Sequence, residues 1–277
     1  ACGSCQQTPA EMEWNRIVVQ KLIDIAEYLS IHMYVSNQEN NYYEYMGTSE
    51  HIEKYIRTVK GIIDGASYHS HHGRKMKISF DEWNATFSPG RDRSLHERYT
   101  LEDALVVAMF LNSFIRHADI IKIANMAQTV NVIPAIYTSP EGLFLQTIFY
   151  PLELYANENG TIALDAYCDC KKFETRRYGE VPYLDVSASY DPTIRRITIN
   201  IINRHLTDIV PVKIENSHGD LADKGNMFRI TGPDIKAIND FKEETVTTEK
   251  QSIDVPSNIF TMELPPHSIT AIQLMLK

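Results

Sequence analysis

The chain has 277 residues, of which 43% are hydrophobic and 23% are charged, and its formal net charge is −9. This length and composition predict a folded globular protein of one large or two ordinary domains and exclude a disordered chain or a fibre. The negative charge disfavours nucleic acid and an anionic membrane surface as partners, and no run of about 18 apolar residues predicts a membrane-spanning helix.

The first half of the chain alternates helices with strands. Apolar spacing predicts helices over residues 10–27, 49–66 and 100–116, with Pro9 near the first start, Gly65 as the second stop, and Thr100 and Asp103 as a capping box. Short apolar runs predict strands over residues 28–34, 76–80 and 119–124, and residues 1–4 offer a fourth strand. A loop rich in Asn and Tyr is predicted after Tyr34. Strands separated by helices form parallel sheets.

The pattern changes after about residue 158. Residues 183–189 and 196–202 alternate apolar with polar side chains, and the cluster 217–220 is typical of a turn. Residues 260–264 and 269–276, joined by Pro265 and Pro266, are predicted to form the last hairpin. We therefore expect two domains, an α/β domain over residues 1–158 and an antiparallel β-sandwich over residues 159–277.

Two residue clusters could hold a metal ion. The four cysteines form two close pairs, Cys2 with Cys5 and Cys168 with Cys170, but the second pair has strand spacing and no histidine flanks it at a finger-like distance. The segment 68–72 contains three histidines but is followed by Gly73, Arg74 and Lys75, which is typical of a solvated loop. We predict no metal and no cofactor, and reduced thiols, which favours a cytoplasmic protein.

Polar residues lie at or just after the carboxyl ends of three of the predicted strands. They are His32 and Tyr34, then Asp81 and Glu82, then Asn125 and Gln128. Active sites of parallel α/β folds lie at the carboxyl ends of the strands, so these side chains are candidates for a common site. Glu82 offers a nucleophile or base, with Trp83 for packing against a sugar and Asn84 for a hydroxyl. The alternative is that Glu82 only caps the following loop.

Several segments resemble the α-L-arabinofuranosidases of glycoside hydrolase family 51. Residues 78–84, ISFDEWN, are similar to the family's nucleophile motif. Residues 1–4 resemble its fifth strand end, residues 31–34 its sixth, and the segments 99–105, 115–119 and 122–128 its last helix and strand region. The similarity keeps one order along the chain and extends from residue 1 into the predicted β-domain.

The resemblance implies the C-terminal half of a (β/α)₈ barrel followed by a β-sandwich, and a retaining glycosidase. Glu82 is then the nucleophile, Tyr34 the hydrogen-bond donor that orients it, His32 a supporting residue, and Gln128 a ligand of a sugar hydroxyl. The alternatives are an aromatic side chain filling the barrel mouth for Tyr34, a core histidine for His32, and a helix-capping amide for Gln128.

The resemblance also leaves gaps. The family's acid/base glutamate follows an asparagine at the end of the fourth strand, and no Asn-Glu pair in this sequence fits that place. We therefore expect the first barrel half to be on another polypeptide or missing from this sequence, which begins without a methionine. The alternative is a non-catalytic carbohydrate-binding fragment.

Substrate and assembly are less closely specified. Soon after the nucleophile motif, where the resemblance implies a second aromatic residue, this sequence reads Ala85-Thr86-Phe87, so linkage preference does not carry over. The family also contains enzymes that act on glucans, although arabinofuranosyl substrates are favoured. The resemblance further implies a homo-oligomer.

Overall fold

The computed structural model describes residues 1–4, 8–68, 70, 73–85 and 97–277. The helices of these ranges are α1 (Pro9–Leu22), α2 (Tyr42–Met46), α3 (Thr48–Ser67), α4 (Leu101–Arg116) and α5 (Phe149–Glu158). The first strands are β1 (Tyr28–Val35), β2 (Lys77–Ala85), β3 (Ile121–Met126), β4 (Ile136–Ser139) and β5 (Gly142–Leu145). The later strands are β6 (Ile162–Leu164), β7 (Lys172–Thr175), β8 (Gly179–Pro182), β9 (Leu184–Asp191), β10 (Arg196–Asn203), β11 (Val210–Glu215), β12 (Leu221–Ile230), β13 (Thr248–Asp254), β14 (Ile259–Leu264) and β15 (Ser268–Leu276).

The first sheet is parallel and open. Its order is β1-β2-β3, and residues 1–4 run parallel to β1, with the backbone N–H of Gly3 donating to Ser30 O at 2.9 Å and that of His32 to Ser4 O at 2.9 Å. The predicted fourth strand is therefore present as a short edge segment. In the described ranges this sheet does not close on itself.

The second part of the chain is an antiparallel sandwich. Six strands pair in the order β13-β12-β15-β10-β9-β6, and β11 pairs with β14 in a second layer. Neighbouring residues of β10 face opposite ways: Ile202 packs into the core shared with the helices, and Ile201 into the core under β11 and β14. The predicted fold class, α/β followed by an antiparallel β-sandwich, is confirmed.

Helix α4 lies between the two sheets and is buried on nearly all sides. It contacts β2 on one side and β9 and β10 on the other, which explains why its apolar residues surround it rather than form one stripe. Thr100 and Asp103 form the predicted capping box, with the backbone N–H of Thr100 donating to Asp103 Oδ2 at 2.7 Å.

Several predicted boundaries differ from the structure. Helix α1 ends at Leu22 rather than at residue 27, and α3 continues through Gly65 to Ser67, because a glycine weakens a helix without having to end it. The segment after β1, predicted as a loop, contains α2, whose N-terminal N–H groups bond to the Asn41 side chain. The final strands β14 and β15 belong to different sheets, so the predicted hairpin between them is wrong.

Charged side chains join the helices to the sandwich. Arg116 of α4 donates to Asp185 Oδ1 of β9 at 2.7 Å and lies 2.9 Å from Glu53 Oε1 of α3. Arg204, which follows β10 and is 1% exposed, donates to Ser49 Oγ at 2.6 Å and lies 3.6 Å from Asp185 Oδ2. These contacts fix the sandwich against the helices behind the parallel sheet.

Candidate active site on the parallel sheet

Strand β2 contains a bulge directly before Glu82. Ile31 of β1 pairs with Phe80, whereas the next residue, His32, pairs with Glu82, so Asp81 is an extra residue in β2. Side chains alternate between the two faces of a strand, so in a regular strand Phe80 and Glu82 would share a face. The extra residue reverses this alternation, as bulges near active sites commonly do.

The bulge keeps two large rings in the core. Phe80 and Trp83 are three residues apart, yet both pack on α4: the Phe80 ring lies 5.1 Å from Phe114, and the Trp83 ring lies 5.1 Å from Phe110. Without the extra residue, one of these rings would have to leave the helices. Glu82 therefore faces away from the helices because β2 is bulged.

Three polar side chains of β1 point to the same face as Glu82. Tyr34 donates a hydrogen bond from its hydroxyl to Glu82 Oε2 at 2.9 Å, and His32 Nδ1 lies 3.5 Å from the same oxygen. His32 Nε2 lies 3.4 Å from Asp81 Oδ1, and the Ser30 hydroxyl donates to that Asp81 oxygen at 2.7 Å. Residues 30, 32 and 34 share a face because they alternate with the buried residues of β1.

This arrangement orients a carboxylate and leaves it accessible. The Glu82 side chain is 47% exposed, while the Tyr34 hydroxyl holds one of its two oxygens. An oriented, accessible carboxylate can act as a nucleophile or as a base. His32 lies between the two carboxylates and fixes their relative position.

The structure does not bring Trp83 and Asn84 to this cluster. Trp83 is 1% exposed, and its ring lies in the core described above. Asn84 is fully buried; its amide nitrogen lies 2.8 Å from Ala127 O and 3.0 Å from Ile133 O, and so ties the end of β2 to the segment after β3. Both side chains are therefore buried away from the accessible face that carries Glu82, on which the sequence predicted their sugar contacts.

Gln128 follows β3, the strand next to β2, and is exposed. Its peptide bond with Ala127 is cis, and the Ala127 N–H donates to Trp83 O at 3.2 Å. Asn125 is also exposed, within β3. Gln128 is therefore at the same edge as the end of β2. Residues 86 and 87, where the sequence departs from the family pattern, lie outside the described residues.

The suggested metal clusters have no counterpart in the described ranges. No group of three or more His, Cys, Asp or Glu side chains there is arranged to hold a metal ion. Cys5 and the three histidines of segment 68–72 lie outside those ranges. Cys168 and Cys170 are free thiols in a loop rather than a strand, and a hydrogen bond from Cys168 lowers the pKa of Cys170 to about 6.

Sequence reasoning missed two parts of this cluster. The contacts of Ser30 and Asp81 were not predicted, although the alternation of Ser30, His32 and Tyr34 with apolar residues in β1 indicates that these three side chains share a polar face. The bulge itself leaves no signal in a single sequence, because it is defined by the pairing of β2 with β1.

Comparison with known proteins identifies the family. Residues 81–268 match the model of the α-L-arabinofuranosidase C-terminal domain. A curated relative, an intracellular exo-α-(1→5)-L-arabinofuranosidase of Halalkalibacterium halodurans, is 34% identical over 75% of this chain and 44% of its own length. The chain belongs to the α-L-arabinofuranosidases of glycoside hydrolase family 51.

Solved structures of the family match almost the whole chain. An α-L-arabinofuranosidase of Thermotoga maritima in complex with arabinose superposes with a TM-score of 0.85 at 26% identity, over 99% of this chain and 56% of that one. A family 51 enzyme of Thermotoga petrophila gives a TM-score of 0.86 at 26% identity, again over 99% and 56%. The chain spans about half the length of the curated relatives it matches. No helix in its described ranges is long and apolar enough to cross a membrane.

Proposed function

We propose that this chain carries the nucleophile half of a retaining glycosidase that removes terminal α-L-arabinofuranosyl residues from oligosaccharides or hemicellulose. The observation that carries the proposal is the hydrogen bond from Tyr34 to Glu82 on the accessible face of the sheet. The family membership supplies the substrate class, since the relatives described above are named for arabinofuranosides.

In the proposed reaction, Glu82 attacks the anomeric carbon and forms a covalent glycosyl-enzyme, which water then hydrolyses. Tyr34 holds the carboxylate in the attacking orientation, and His32 fixes Glu82 against Asp81. Gln128, at the same edge of the sheet, binds a sugar hydroxyl. A retaining enzyme needs a second carboxyl group about 5 to 5.5 Å from the nucleophile, to protonate the leaving oxygen and later to activate water.

We propose that an upstream segment supplies this second carboxyl group. The parallel sheet of the described residues is open, and the matched relatives are about twice as long as this chain. Four further strands would close the sheet into a (β/α)₈ barrel, with residues 1–158 as the second half of the barrel and residues 159–277 as the sandwich domain. We further propose a cytoplasmic location, which the naming of the relatives as intracellular enzymes supports. A homo-oligomer is proposed from the family resemblance alone.

The test compares the chain alone with the chain joined to, or co-expressed with, the upstream half of a family member. On an aryl α-L-arabinofuranoside with a poor leaving group, we expect the chain alone to be slower by about 10²–10⁴-fold, because general acid catalysis is missing. Glu82→Gln should reduce the activity of the assembled enzyme to background. The matched control is Glu141→Gln, which changes an exposed carboxylate in the turn between β4 and β5.

Two results would contradict the proposal. Activity that survives Glu82→Gln would remove Glu82 from the mechanism. Sugar binding without turnover by the assembled wild-type protein would favour the non-catalytic carbohydrate-binding alternative.

A further inference from the structure

A long connection of the sandwich lies against the parallel half of the molecule. We call residues 231–247, which join β12 to β13, the strap. Its backbone carbonyls at Ala237 and Ile235 accept the N–H groups of Leu101 and Glu102, at 2.9 and 3.0 Å. The first N–H groups of a helix have no partner within the helix, so the strap satisfies the N-terminus of α4.

The strap also holds the hairpin that follows β3. The Asn239 amide donates to Leu145 O at 3.0 Å, and Glu244 accepts the backbone N–H of Leu145 at 3.1 Å and the hydroxyl of Tyr150 at 2.7 Å. The conformation of the strap is therefore fixed by its contacts with the start of α4, with the hairpin and with Tyr150 of α5.

One side chain of the strap extends toward the loop after β1. Lys236 Nζ donates to Glu102 Oε1 at 2.5 Å and to Asn40 Oδ1 at 3.1 Å. Asn37 in turn lies with its amide nitrogen 3.4 Å from Glu102 Oε1, and its side-chain oxygen accepts the Asn41 N–H at 2.8 Å. Lys236 thus bonds to the loop 36–41 directly and also through Glu102.

Glu102 needs the cation. Its side chain is 1% exposed; burial raises its pKa, the neighbouring Asp103 raises it further, and Lys236 opposes both effects. An ionised carboxylate that is buried without a cation or sufficient hydrogen bonds is strongly unfavourable, so without Lys236 the Glu102 carboxylate would either take up a proton or move. Both outcomes weaken the hydrogen bond that it accepts from Asn37.

The loop 36–41 begins two residues after Tyr34, the donor to Glu82. We propose that Lys236 is a positioning residue, which holds loop 36–41 through Glu102, Asn37 and Asn40 and thereby fixes Tyr34 against Glu82. In this proposal the sandwich domain helps to position the residues of the candidate site, through Lys236. The part of this inference that concerns Tyr34 and turnover rests on the proposed function, whereas the part that concerns the loop does not.

The first experiment measures amide hydrogen exchange of the isolated chain. In Lys236→Met, which keeps the apolar stem and removes the charge, we expect exchange in residues 36–41 to accelerate about tenfold or more, with β9 and β10 unchanged. Lys236→Arg should restore the wild-type rate. Lys242→Met is the matched control, because it removes an exposed lysine from the same strap. Unchanged exchange in Lys236→Met, or equal acceleration in Lys242→Met, would overturn the proposal.

The second experiment measures kinetics of the assembled enzyme. We expect Lys236→Met to lower kcat about tenfold with KM within about twofold, because small displacements of catalytic groups affect the transition state more than substrate binding. Accelerated exchange with an unchanged kcat would overturn the link to Tyr34. An inactive wild-type assembly would instead refute the proposed function, while the exchange result would still decide whether Lys236 holds the loop.

A third variant removes one of the same contacts with a lower risk that the chain misfolds. Asn40 has a positive φ of 49°, a conformation that glycine adopts without strain, so Asn40→Gly removes one contact of Lys236 and keeps Glu102 paired. We expect a smaller acceleration of exchange, confined to residues 36–41. No acceleration in this variant and in Lys236→Met together would show that the contacts do not hold the loop.

Discussion

The parallel sheet and the centre of the six-stranded sandwich sheet differ in regularity. In the sandwich, β10 pairs with β9 and with β15 over eight residues each without a register shift. In the parallel sheet, β2 has register shifts against both of its neighbours, and one of them directly precedes Glu82. The regular centre of the sandwich sheet supports the molecule, whereas the irregular parallel sheet presents the polar side chains of the candidate site.

The difference has a physical origin. A regular strand that is buried on one face can only alternate, and in β2 that alternation would send Glu82 toward the apolar helices. Because Asp81 of β2 has no partner in β1, the Glu82 carboxylate lies on the accessible face of the sheet. The strands β9, β10 and β15 have no such requirement and keep one register, and the register shift between β12 and β15 lies at the start of β12, between Leu221 and Gly225.

The largest effect is expected from deletion of Asp81. The deletion removes the bulge, so either Glu82 turns into the helices or Trp83 leaves them, and we expect a loss of about 3 kcal/mol or more of unfolding free energy together with all activity of the assembled enzyme. Urea unfolding followed by tryptophan fluorescence, to which Trp14 and Trp83 both contribute, measures this change. Asp81→Ala keeps the residue count and should retain most of the stability; an equal loss in both variants would refute the role of the bulge.

A smaller effect is expected where the two regions meet, at Arg204. Arg204→Met removes the buried cation beside Asp185 and the hydrogen bond to Ser49. We expect the free energy of unfolding to fall by about 3 kcal/mol, because breaking a buried charge pair leaves the remaining charge without its partner. Urea unfolding followed by two probes measures the loss. Arg57→Met, at an exposed position of α3, serves as the control. An unchanged midpoint in Arg204→Met would show that Asp185 is sufficiently paired by Arg116.

The smallest effect is expected at Glu53, and it depends on pH. Burial raises the pKa of Glu53, but the hydrogen bond from His117 and the charge of Arg116 outweigh it and lower the pKa to about 2. A carboxyl whose pKa is lowered by folding stabilises the folded state above its unfolded pKa, here 4.5, and loses that contribution as pH falls toward 2. We therefore expect Glu53→Gln to lower the free energy of unfolding by about 2 to 3 kcal/mol near pH 6, and by progressively less below pH 4.5.

Urea unfolding at several pH values between 6 and about 3 measures this prediction. The control is Glu141→Gln, whose exposed carboxylate should give a difference near zero at each pH. A Glu53→Gln difference that stays constant as the pH falls would contradict the assignment of the lowered pKa to folding.

Much of the fold followed from local sequence. The capping box of α4, the apolar strands β1 and β2 and the alternation in β9 and β10 each depend on residues close together in the chain, and the structure has these elements. Local patterns missed α2 and mispaired β14 with β15, because the choice of a strand's partner depends on the packing of distant segments.

For the candidate site, the sequence by itself determined the residue types and their approximate places: Glu82 near a strand end, and His32 and Tyr34 on the strand before it in the chain. The tertiary structure alone decided which way each side chain faces. It turned Glu82 toward Tyr34, kept Trp83 and Asn84 in the core, and brought Lys236 from the sandwich to Glu102. The reason is that strand register and contacts between distant segments depend on the pairing of whole elements, which no short stretch of sequence encodes.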